Sequence, residues 1–427
     1  MKININTFIC KLLVLTCLIP LRGAIFGISG LGGKIRLFSF LLLILWRRSI
    51  EKVKIPGFYW FYFISYTLCV LHFRNSLVPL QIIEMLFAII GVMYCVLTTI
   101  KCEKHFLSVI DFIIAIFAIY SILGIIESIF HWNFFDVLTG TQVEYIGANE
   151  IRFGLARNRG AYGVSINNGM ILCLAACLTL YRMASSKNIT VAYKVAYALI
   201  VLDAFLTLSR AVWLYLAFIN IAVYLSMSLN KKVSLISKMF IVGLLILVLL
   251  SMFLPTALTS VLDIADKMIG SILETFGLTA EENEVGDLGN RLDLWAWVWL
   301  SVRDSLLWGK GFLTQFSYNL GNWNKESIEI TWLYVLFRTG FIGLCGYLVF
   351  QIGCVYSAIK NITKNMKINL SEKFSFYFLI GTIGYFFAQF SASSDSDLVF
   401  YYILLALLIS KSNLDNRNLV MEETYVE

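Results

Sequence analysis

Residues 106–130 read FLSVIDFIIAIFAIYSILGIIESIF, an apolar run interrupted by two acidic residues, Asp111 and Glu127. A helix needs about 20 such residues to cross the hydrocarbon core of a bilayer. Similar runs recur at 7–28, 35–50, 57–73, 78–100, 164–183, 190–208, 211–229, 238–258, 328–358, 373–391 and 397–411. The sequence therefore predicts an all-α polytopic membrane protein with about twelve transmembrane helices.

The composition supports a membrane environment for the whole chain. Of the 427 residues, 59% are hydrophobic and 14% are charged, whereas soluble domains carry about 25% charged residues. The sequence contains no long polar linker, so we expect a single integral membrane domain over residues 1–427. With three histidines and with cysteines scattered through apolar segments, neither a metal site nor a cofactor is predicted.

The basic residues predict the orientation of the helices. If the N-terminus is cytoplasmic, the basic residues of five loops fall on the cytoplasmic side, as the positive-inside rule requires. They are Arg47, Arg48, Lys52, Lys54, Lys101, Lys104, Arg182, Lys187, Lys194, Lys231, Lys232, Lys238, Lys360, Lys364, Lys367 and Lys373. The first outer loop, with Arg22, Lys34 and Arg36, is the exception. Topology thus explains the net charge of +7 without nucleic-acid binding.

Two long loops then lie on the outer face, and the C-terminus is cytoplasmic. The loop 131–163 contains IRFGLARNRGAYG at 151–163, in which Arg152, Arg157 and Arg159 alternate with glycines. Guanidinium groups match phosphate oxygens, and glycines allow backbone N–H groups to approach an anion. We expect these arginines to bind phosphate. The alternatives are anionic lipid headgroups and ion pairs with the acidic residues of the other outer loop.

A fourth outer arginine, Arg210, lies in LTLSRAVW with barely a turn between two apolar runs. A charge this close to hydrocarbon costs several kcal/mol unless it faces a cavity or a partner. A functional role is therefore predicted, and the alternative is a side chain that extends to the interface.

The loop 256–327, between helices 9 and 10, is predicted to contain an amphipathic interfacial helix. Its apolar residues recur at helical spacing: Leu292, Trp295, Val298, Trp299 and Val302. Arg291 opens this helix, either as a functional cation or in a surface pair with Asp293. Glu326 and Glu329 lie where the loop returns to the membrane, as candidate bases or as helix-capping residues.

Further acidic residues leave the sequence open to several interpretations. Asp395 and Asp397 form an Asp-x-Asp pattern, for which N-capping of the last helix is favoured over metal binding. Acidic residues in or near the apolar runs could form a proton relay in a transporter or structural ion pairs. They are Glu84, Asp111, Glu127 and Asp203.

Four features together resemble the O-antigen ligase and polymerase superfamily, bacterial membrane glycosyltransferases that use undecaprenyl-diphosphate-linked glycans. Two are the twelve-helix plan with one long outer loop late in the chain and the Ser209–Arg210 pair that opens a helix. The third is GNRLDLWAWVWLSVRDSLLWGKGF at 289–312, which is similar to the family's Arg-x-x-x-Trp helix followed by Gly-x-Gly. The fourth is a helix with Gly-x-x-Gly, here Gly340 and Gly343.

One departure from the family pattern bears on the activity. Ligases of the superfamily typically have a His-Asn pair where the long loop meets the next helix, whereas this chain has Glu326–Ser327 and no histidine after His131. The resemblance therefore favours a Wzy-type polymerase of lipid-linked repeat units over an O-antigen ligase. A lipid-linked oligosaccharide flippase is the alternative from a different class.

The resemblance also implies roles for the candidate residues. Arg210 and Arg291 would act on the diphosphate and Glu326 as the base, while Arg152, Arg157, Arg159 and Trp295 would bind diphosphate or glycan. The implied partners are the undecaprenyl-diphosphate-linked oligosaccharide, membrane lipids and a chain-length regulator. The implied location is the bacterial inner membrane, and no cofactor is implied.

Overall fold

The computed structural model of the protein describes residues 5–19, 24–25, 28–29, 31–47, 53–73, 82–83, 86–140, 151–152, 155–186, 190–229, 232, 266, 270, 288–320, 323–325, 328–364, 370, 373–392 and 398–424. The α-helices among them are α1 Ile5–Leu15, α2 Leu31–Arg47, α3 Gly57–His72, α4 Val92–Thr99, α5 Glu103–Phe130, α6 Phe134–Thr139, α7 Ser165–Ser185, α8 Val191–Leu206, α9 Arg210–Ser226, α10 Leu288–Val302, α11 Thr331–Lys364, α12 Phe374–Ala388 and α13 Leu398–Thr424.

Short antiparallel hairpins accompany these helices. They pair β1 Ala24–Ile25 with β2 Ile28–Ser29, β3 Ile151–Arg152 with β4 Leu155–Ala156, and β5 Tyr318–Leu320 with β6 Trp323–Lys325. The protein is therefore predominantly α-helical in its described part, as the sequence predicts.

Three described helices are long and apolar enough to cross a membrane, namely Glu103–Phe130, Ser165–Ser185 and Thr331–Lys364. Shorter apolar helices occur at Thr7–Leu18, Leu86–Thr99, Arg210–Ser226 and Phe374–Ala388. These features are those of an all-α membrane protein. The number of twelve spans stays a prediction, and the predicted span 238–258 lies outside the described residues. The predicted span 78–100 is not a regular α-helix, because Leu86–Gly91 forms a π-helix ahead of α4.

Small residues allow the central helices to pack closely. Helices α7 and α12 run antiparallel, since Tyr181 near the end of α7 packs edge-on against Phe374 at the start of α12. Further along this contact, Gly381 faces Leu174. Tyr215 of α9 donates a hydrogen bond to the carbonyl of Gly381. These close approaches are typical of helices that pack inside a bilayer.

The described loops at one end of these helices hold most of the predicted outer arginines. We call this end of the helices the arginine end: α5 and α8 finish there, and α7 and α9 begin there. The contact of Ser128 with the carbonyl of Leu206 joins the ends of α5 and α8. Because α12 is antiparallel to α7, α12 also finishes at the arginine end.

Helix α11 is broken, although the sequence predicts one continuous helix over 328–358. Gly340 has φ 61° and ψ −160°, outside the helical region. Trp332 and Gln351 both donate to the same side-chain oxygen of Gln389, at 3.3 and 2.8 Å. In a straight helix those residues would be separated by about 28 Å at 1.5 Å per residue. The segment Thr331–Thr339 must therefore fold back along the rest of α11, and we call it the half-helix.

The chain divides into two compact units. One comprises Met1–Ile219 with Val298–Glu427, and the other comprises Asn220–Trp297. All contacts described below are within the first unit.

Candidate functional site

Two side chains and one backbone N–H of the β3–β4 region are fixed to the turn between α8 and α9. Arg152 donates from Nη1 to the carbonyl of Leu208 at 3.1 Å, and Arg157 donates from Nε to that of Thr207 at 3.3 Å. The backbone N–H of Asn158 donates to the carbonyl of Leu206 at 3.2 Å. Leu208 has φ 49°, a left-handed conformation that is uncommon for a residue with a branched side chain.

Arg210 begins α9 directly after this turn. Burial lowers the pKa of Arg152, and the nearby charge of Arg210 lowers it further. The hydrogen bond to Leu208 brings Arg152 to the turn directly before Arg210, although the two arginines are 58 positions apart in the sequence. The group formed by Arg152, Arg157 and Arg210 around Thr207 and Leu208 is called the arginine turn below.

Arg159 is arranged differently from the other arginines. Its Nη2 lies 3.0 Å from Asp136 Oδ2 and its Nε lies 3.7 Å from Glu127 Oε1, so acidic residues balance its charge. The Glu127 carboxylate also accepts the backbone N–H groups of Arg159 at 3.1 Å and Gly160 at 3.0 Å. Both Arg159 and Glu127 are buried. This pairing holds the loop and realises the structural ion pair considered for Glu127, while the partners of Arg159 are Glu127 and Asp136 and not acidic residues of the loop 256–327.

Two further polar side chains anchor the loop that contains Arg159 and Gly160. Asn133 caps α6 by accepting from Phe135 N–H at 2.7 Å, and its amide donates to the carbonyl of Gly160 at 3.2 Å. The Tyr120 hydroxyl accepts the N–H of Ala161 at 2.9 Å. Gly160 has φ 51°, and a Cβ atom there would lie 1.9 Å from that hydroxyl oxygen. A glycine is therefore required at 160 for the loop to close onto α5.

The other described acidic residues of the apolar runs also have structural partners. Asp111 accepts from Arg182 Nε at 2.7 Å and from the Tyr193 hydroxyl at 2.9 Å. Asp203 accepts a hydrogen bond from the side-chain amide of Asn158. These contacts favour structural pairing over a proton relay for the acids that the structure describes. Glu84 lies outside the described residues.

The two glycine motifs of the sequence meet in a second arrangement, which we call the glycine lock. It joins Leu306–Gly311 to Phe337–Ile342 through backbone hydrogen bonds. The pairs are Lys310 N to Phe337 O at 2.7 Å, Gly311 N to Arg338 O at 3.0 Å, Phe341 N to Leu306 O at 2.9 Å and Ile342 N to Leu307 O at 3.2 Å. The break at Gly340 thus leaves its neighbouring backbone groups bonded, as burial requires.

The half-helix is fastened at its other end to α12. The backbone N–H of Thr331 donates to the carbonyl of Gln389 at 3.0 Å, and its hydroxyl donates to the carbonyl of Ala392. Gln389 is fully buried and also donates to the Tyr347 hydroxyl at 2.6 Å. Just before Thr331, Ile328 and Ile330 are buried while Glu329 between them is exposed. Glu329 therefore projects from a well-anchored segment near the arginine end.

Several predicted residues cannot be placed in this site. Glu326, Asp395 and Asp397 lie outside the described residues. The backbone of Arg291 is part of α10, which confirms the helix predicted there, but its side chain is outside the described part. Trp295 is on the same helix and 44% exposed, whereas Leu294, Val298 and Val302 are buried. The described residues include no group of three His, Cys, Asp or Glu side chains that could hold a metal ion.

The sequence did not identify the residues that anchor the loop before α7 and the half-helix. Gln389 and Asn133 are single amides in the sequence, and their partners are far along the chain. Leu208 carries no signal of a left-handed conformation, because glycine or asparagine usually marks such positions. The one usable signal was Glu127, an acid inside an apolar run that needed a partner.

The sequence was compared with known proteins. The family described as O-antigen ligase matches residues 195–348, about a third of the chain. This range contains Arg210, Arg291, Glu326 and both parts of the glycine lock, but not the loop with Arg152 and Arg157. No curated protein matches the chain significantly. The match carries no support for a flippase and fits the membrane glycosyltransferase class. It supports the resemblance of this chain to the O-antigen ligase and polymerase superfamily.

Proposed function

We propose that the protein polymerises undecaprenyl-diphosphate-linked oligosaccharide repeats at the outer face of the bacterial inner membrane. A hydroxyl of a new lipid-linked repeat attacks the anomeric carbon of the growing glycan and loses its proton. The bond between that carbon and the diphosphate oxygen breaks, and undecaprenyl diphosphate leaves with the electron pair. The diphosphate linkage supplies the energy, so the reaction needs no nucleotide.

The observation that carries this proposal is that Arg152 and Arg157 donate to the carbonyls of Leu208 and Thr207, in the turn directly before Arg210. Two guanidinium groups that repel each other are stabilised when an anion lies between or beside them. A diphosphate gains negative charge as it leaves, so cations already fixed in place stabilise the transition state more than the ground state. Arg157, held on the same turn, adds a third positive charge.

The roles of the remaining candidates follow from this arrangement. Arg159 anchors the loop, because Glu127 and Asp136 already balance its charge. Arg291 and Trp295 remain candidates for the diphosphate and the glycan. For the base, Glu326 remains the first candidate, and the exposed position of Glu329 on an anchored segment makes it the second.

A polymerase is favoured over a ligase because Glu326–Ser327 stands where ligases of the superfamily typically have His-Asn. The two activities differ in the acceptor, which is another lipid-linked repeat for a polymerase and the lipid A core for a ligase. Loss of the gene separates the alternatives. Loss of a polymerase leaves single repeats on lipid A, loss of a ligase leaves none, and loss of a flippase stalls the lipid-linked unit inside the cell.

The test is complementation of a deletion strain, read as a polysaccharide ladder on a gel. Arg210→Ala and Arg152→Ala should each reduce long chains about a hundredfold, the usual effect of removing one charge-stabilising donor. Arg303→Ala is the matched control, because Arg303 is exposed and contacts the exposed Asp304. Membrane levels of each variant are compared by immunoblot. A normal ladder from both variants at normal levels would contradict the diphosphate role.

A further inference from the structure

A groove of about 580 Å³ lies at the end of α5 opposite the arginine end. Its lining combines basic, polar and apolar side chains from α1 and the first turns of α5: Lys11, Lys104, Leu107, Ser108, Asp111 and Phe112. Because α5 begins at Glu103 and reaches the arginine end at Phe130, the groove is separated from the arginine turn by most of the length of α5.

Lys11 is an unusual residue for its position. It is the single charged residue of α1, and its neighbours Cys10 and Leu13 are buried. Its ammonium nitrogen lies 5.3 Å from the centre of the Phe112 ring, and within the described part of the chain no carboxylate pairs with it. A lysine inside an apolar helix costs about 3 kcal/mol at the centre of a span, so it is expected to face an anionic partner or water.

The other charges of the groove do not supply that partner. Lys104 lines the same groove, is exposed, and forms no ion pair among the described residues. The one lining carboxylate, Asp111, is already bonded to Arg182 and Tyr193. The groove therefore keeps two positive charges next to the apolar side chains of Leu107 and Phe112.

We propose that this groove binds the headgroup of an anionic phospholipid of the surrounding bilayer. The lipid phosphate lies between Lys11 and Lys104 with the Ser108 hydroxyl in reach, and an acyl chain follows Leu107 and Phe112. The basic loops place this end of α5 at the cytoplasmic leaflet, where anionic lipids concentrate. An apolar wall beside two unpaired cations suits an amphiphile better than a soluble anion. This site is independent of the proposed polymerase activity.

The test uses the purified full-length protein in neutral detergent. Phosphatidylglycerol and phosphatidylcholine are titrated separately, and lipid binding is measured by native mass spectrometry together with the midpoint of thermal unfolding. Phosphatidylglycerol should bind more tightly and raise the midpoint more. Lys11→Gln and Lys104→Gln should each weaken phosphatidylglycerol binding about fivefold, as expected for one basic residue at a membrane surface. Lys11→Arg should keep the preference.

Lys194→Gln is the matched control, because Lys194 is exposed near the same end of the helices and does not line the groove. The proposal is wrong if Lys11→Gln and Lys104→Gln bind phosphatidylglycerol as the wild type does. It is equally wrong if phosphatidylcholine binds as tightly, or if glycerol phosphate alone gives the full rise in the unfolding midpoint. If Lys11→Gln does not fold, Lys104→Gln and Lys11→Arg still decide the outcome.

Discussion

The arginine turn and the glycine lock connect distant segments in opposite ways. In the arginine turn, long side chains of one loop donate to backbone carbonyls of another, so Arg152 reaches Leu208 across 56 positions. In the glycine lock, both partners are backbone: Gly309 lies so close to Gly340 that a Cβ atom on either would be 2.5 Å from the other's nitrogen. The first contact is made by long side chains, while the second leaves no room for any side chain.

The two arrangements are therefore suited to different roles, ligand binding for the arginine turn and positioning of the half-helix for the glycine lock. A guanidinium has five N–H donors, and the hydrogen bond of Arg152 to Leu208 uses one of them, so this side chain can bind a ligand without leaving the turn. The glycine lock instead fixes the position of the half-helix, because four backbone hydrogen bonds hold the chain around the break at Gly340. Substitutions should therefore damage the glycine lock through folding and the arginine turn through activity.

The largest effect is expected at the break in α11. Gly340→Ala should destabilise the protein by about 3 kcal/mol or more, because φ 61° with ψ −160° is essentially restricted to glycine and the new Cβ would meet the backbone of Leu307 and Gly309. The measurement is the yield and thermal midpoint of monodisperse protein in detergent. Gly57→Ala is the control, since a Cβ at Gly57 meets nothing within 4 Å. Equal midpoints for the two variants would disprove the glycine lock.

A smaller loss is expected where the loop of the arginine turn is anchored. Glu127→Gln should cost about 2 kcal/mol, because it removes a buried charge that pairs with Arg159 and leaves one of two backbone N–H groups without its acceptor. Glu103→Gln is the control: its ion pair with Lys411 is partly exposed and should contribute below about 1 kcal/mol. Thermal unfolding of both variants measures the difference. Similar midpoints would mean that Glu127 is not an anchor.

The fold-back of the half-helix can be tested by removing one hydrogen bond. Trp332→Phe removes the indole N–H that donates to Gln389 and should cost about 1 kcal/mol, the usual net value of a hydrogen bond. Trp60→Phe on α3 is the control, because Trp60 is 40% exposed. If Trp332→Phe unfolds at the same temperature as Trp60→Phe, the half-helix is not held by this contact.

The smallest effect concerns pH. Burial raises the pKa of Asp136, and the neighbouring Arg159 offsets part of this rise. A raised native pKa contributes stability that is present below the unfolded pKa of about 3.9 and is lost as the pH rises through the native pKa. Asp136→Asn should therefore flatten the pH dependence of unfolding above about pH 4, compared with the wild type. An unchanged slope in Asp136→Asn would contradict this assignment.

The sequence predicts α5 well, because a largely apolar run of 25 residues leaves few alternatives to a spanning helix: 106–130 becomes Glu103–Phe130. It also singles out three arginines in one loop as candidates, but it cannot tell which of them form structural ion pairs. Whether Arg159 pairs with Glu127 or faces a ligand depends on a contact across 32 positions, which hydropathy does not encode. The break at Gly340 was missed for the same reason, since Gly-x-x-Gly in an apolar run is equally compatible with an unbroken helix.

The half-helix has a consequence for mapping how the chain threads the bilayer. Because Thr331–Thr339 folds back along the rest of α11 instead of extending it, it adds no crossing. A topology that counts 328–358 as one straight span therefore places every later segment on the same side of the membrane as a topology with a folded α11. Reporter fusions, which record sidedness alone, would give the same map for a straight and a folded α11. Probes of local distance between the regions of Trp332 and Gln351 would tell the two apart.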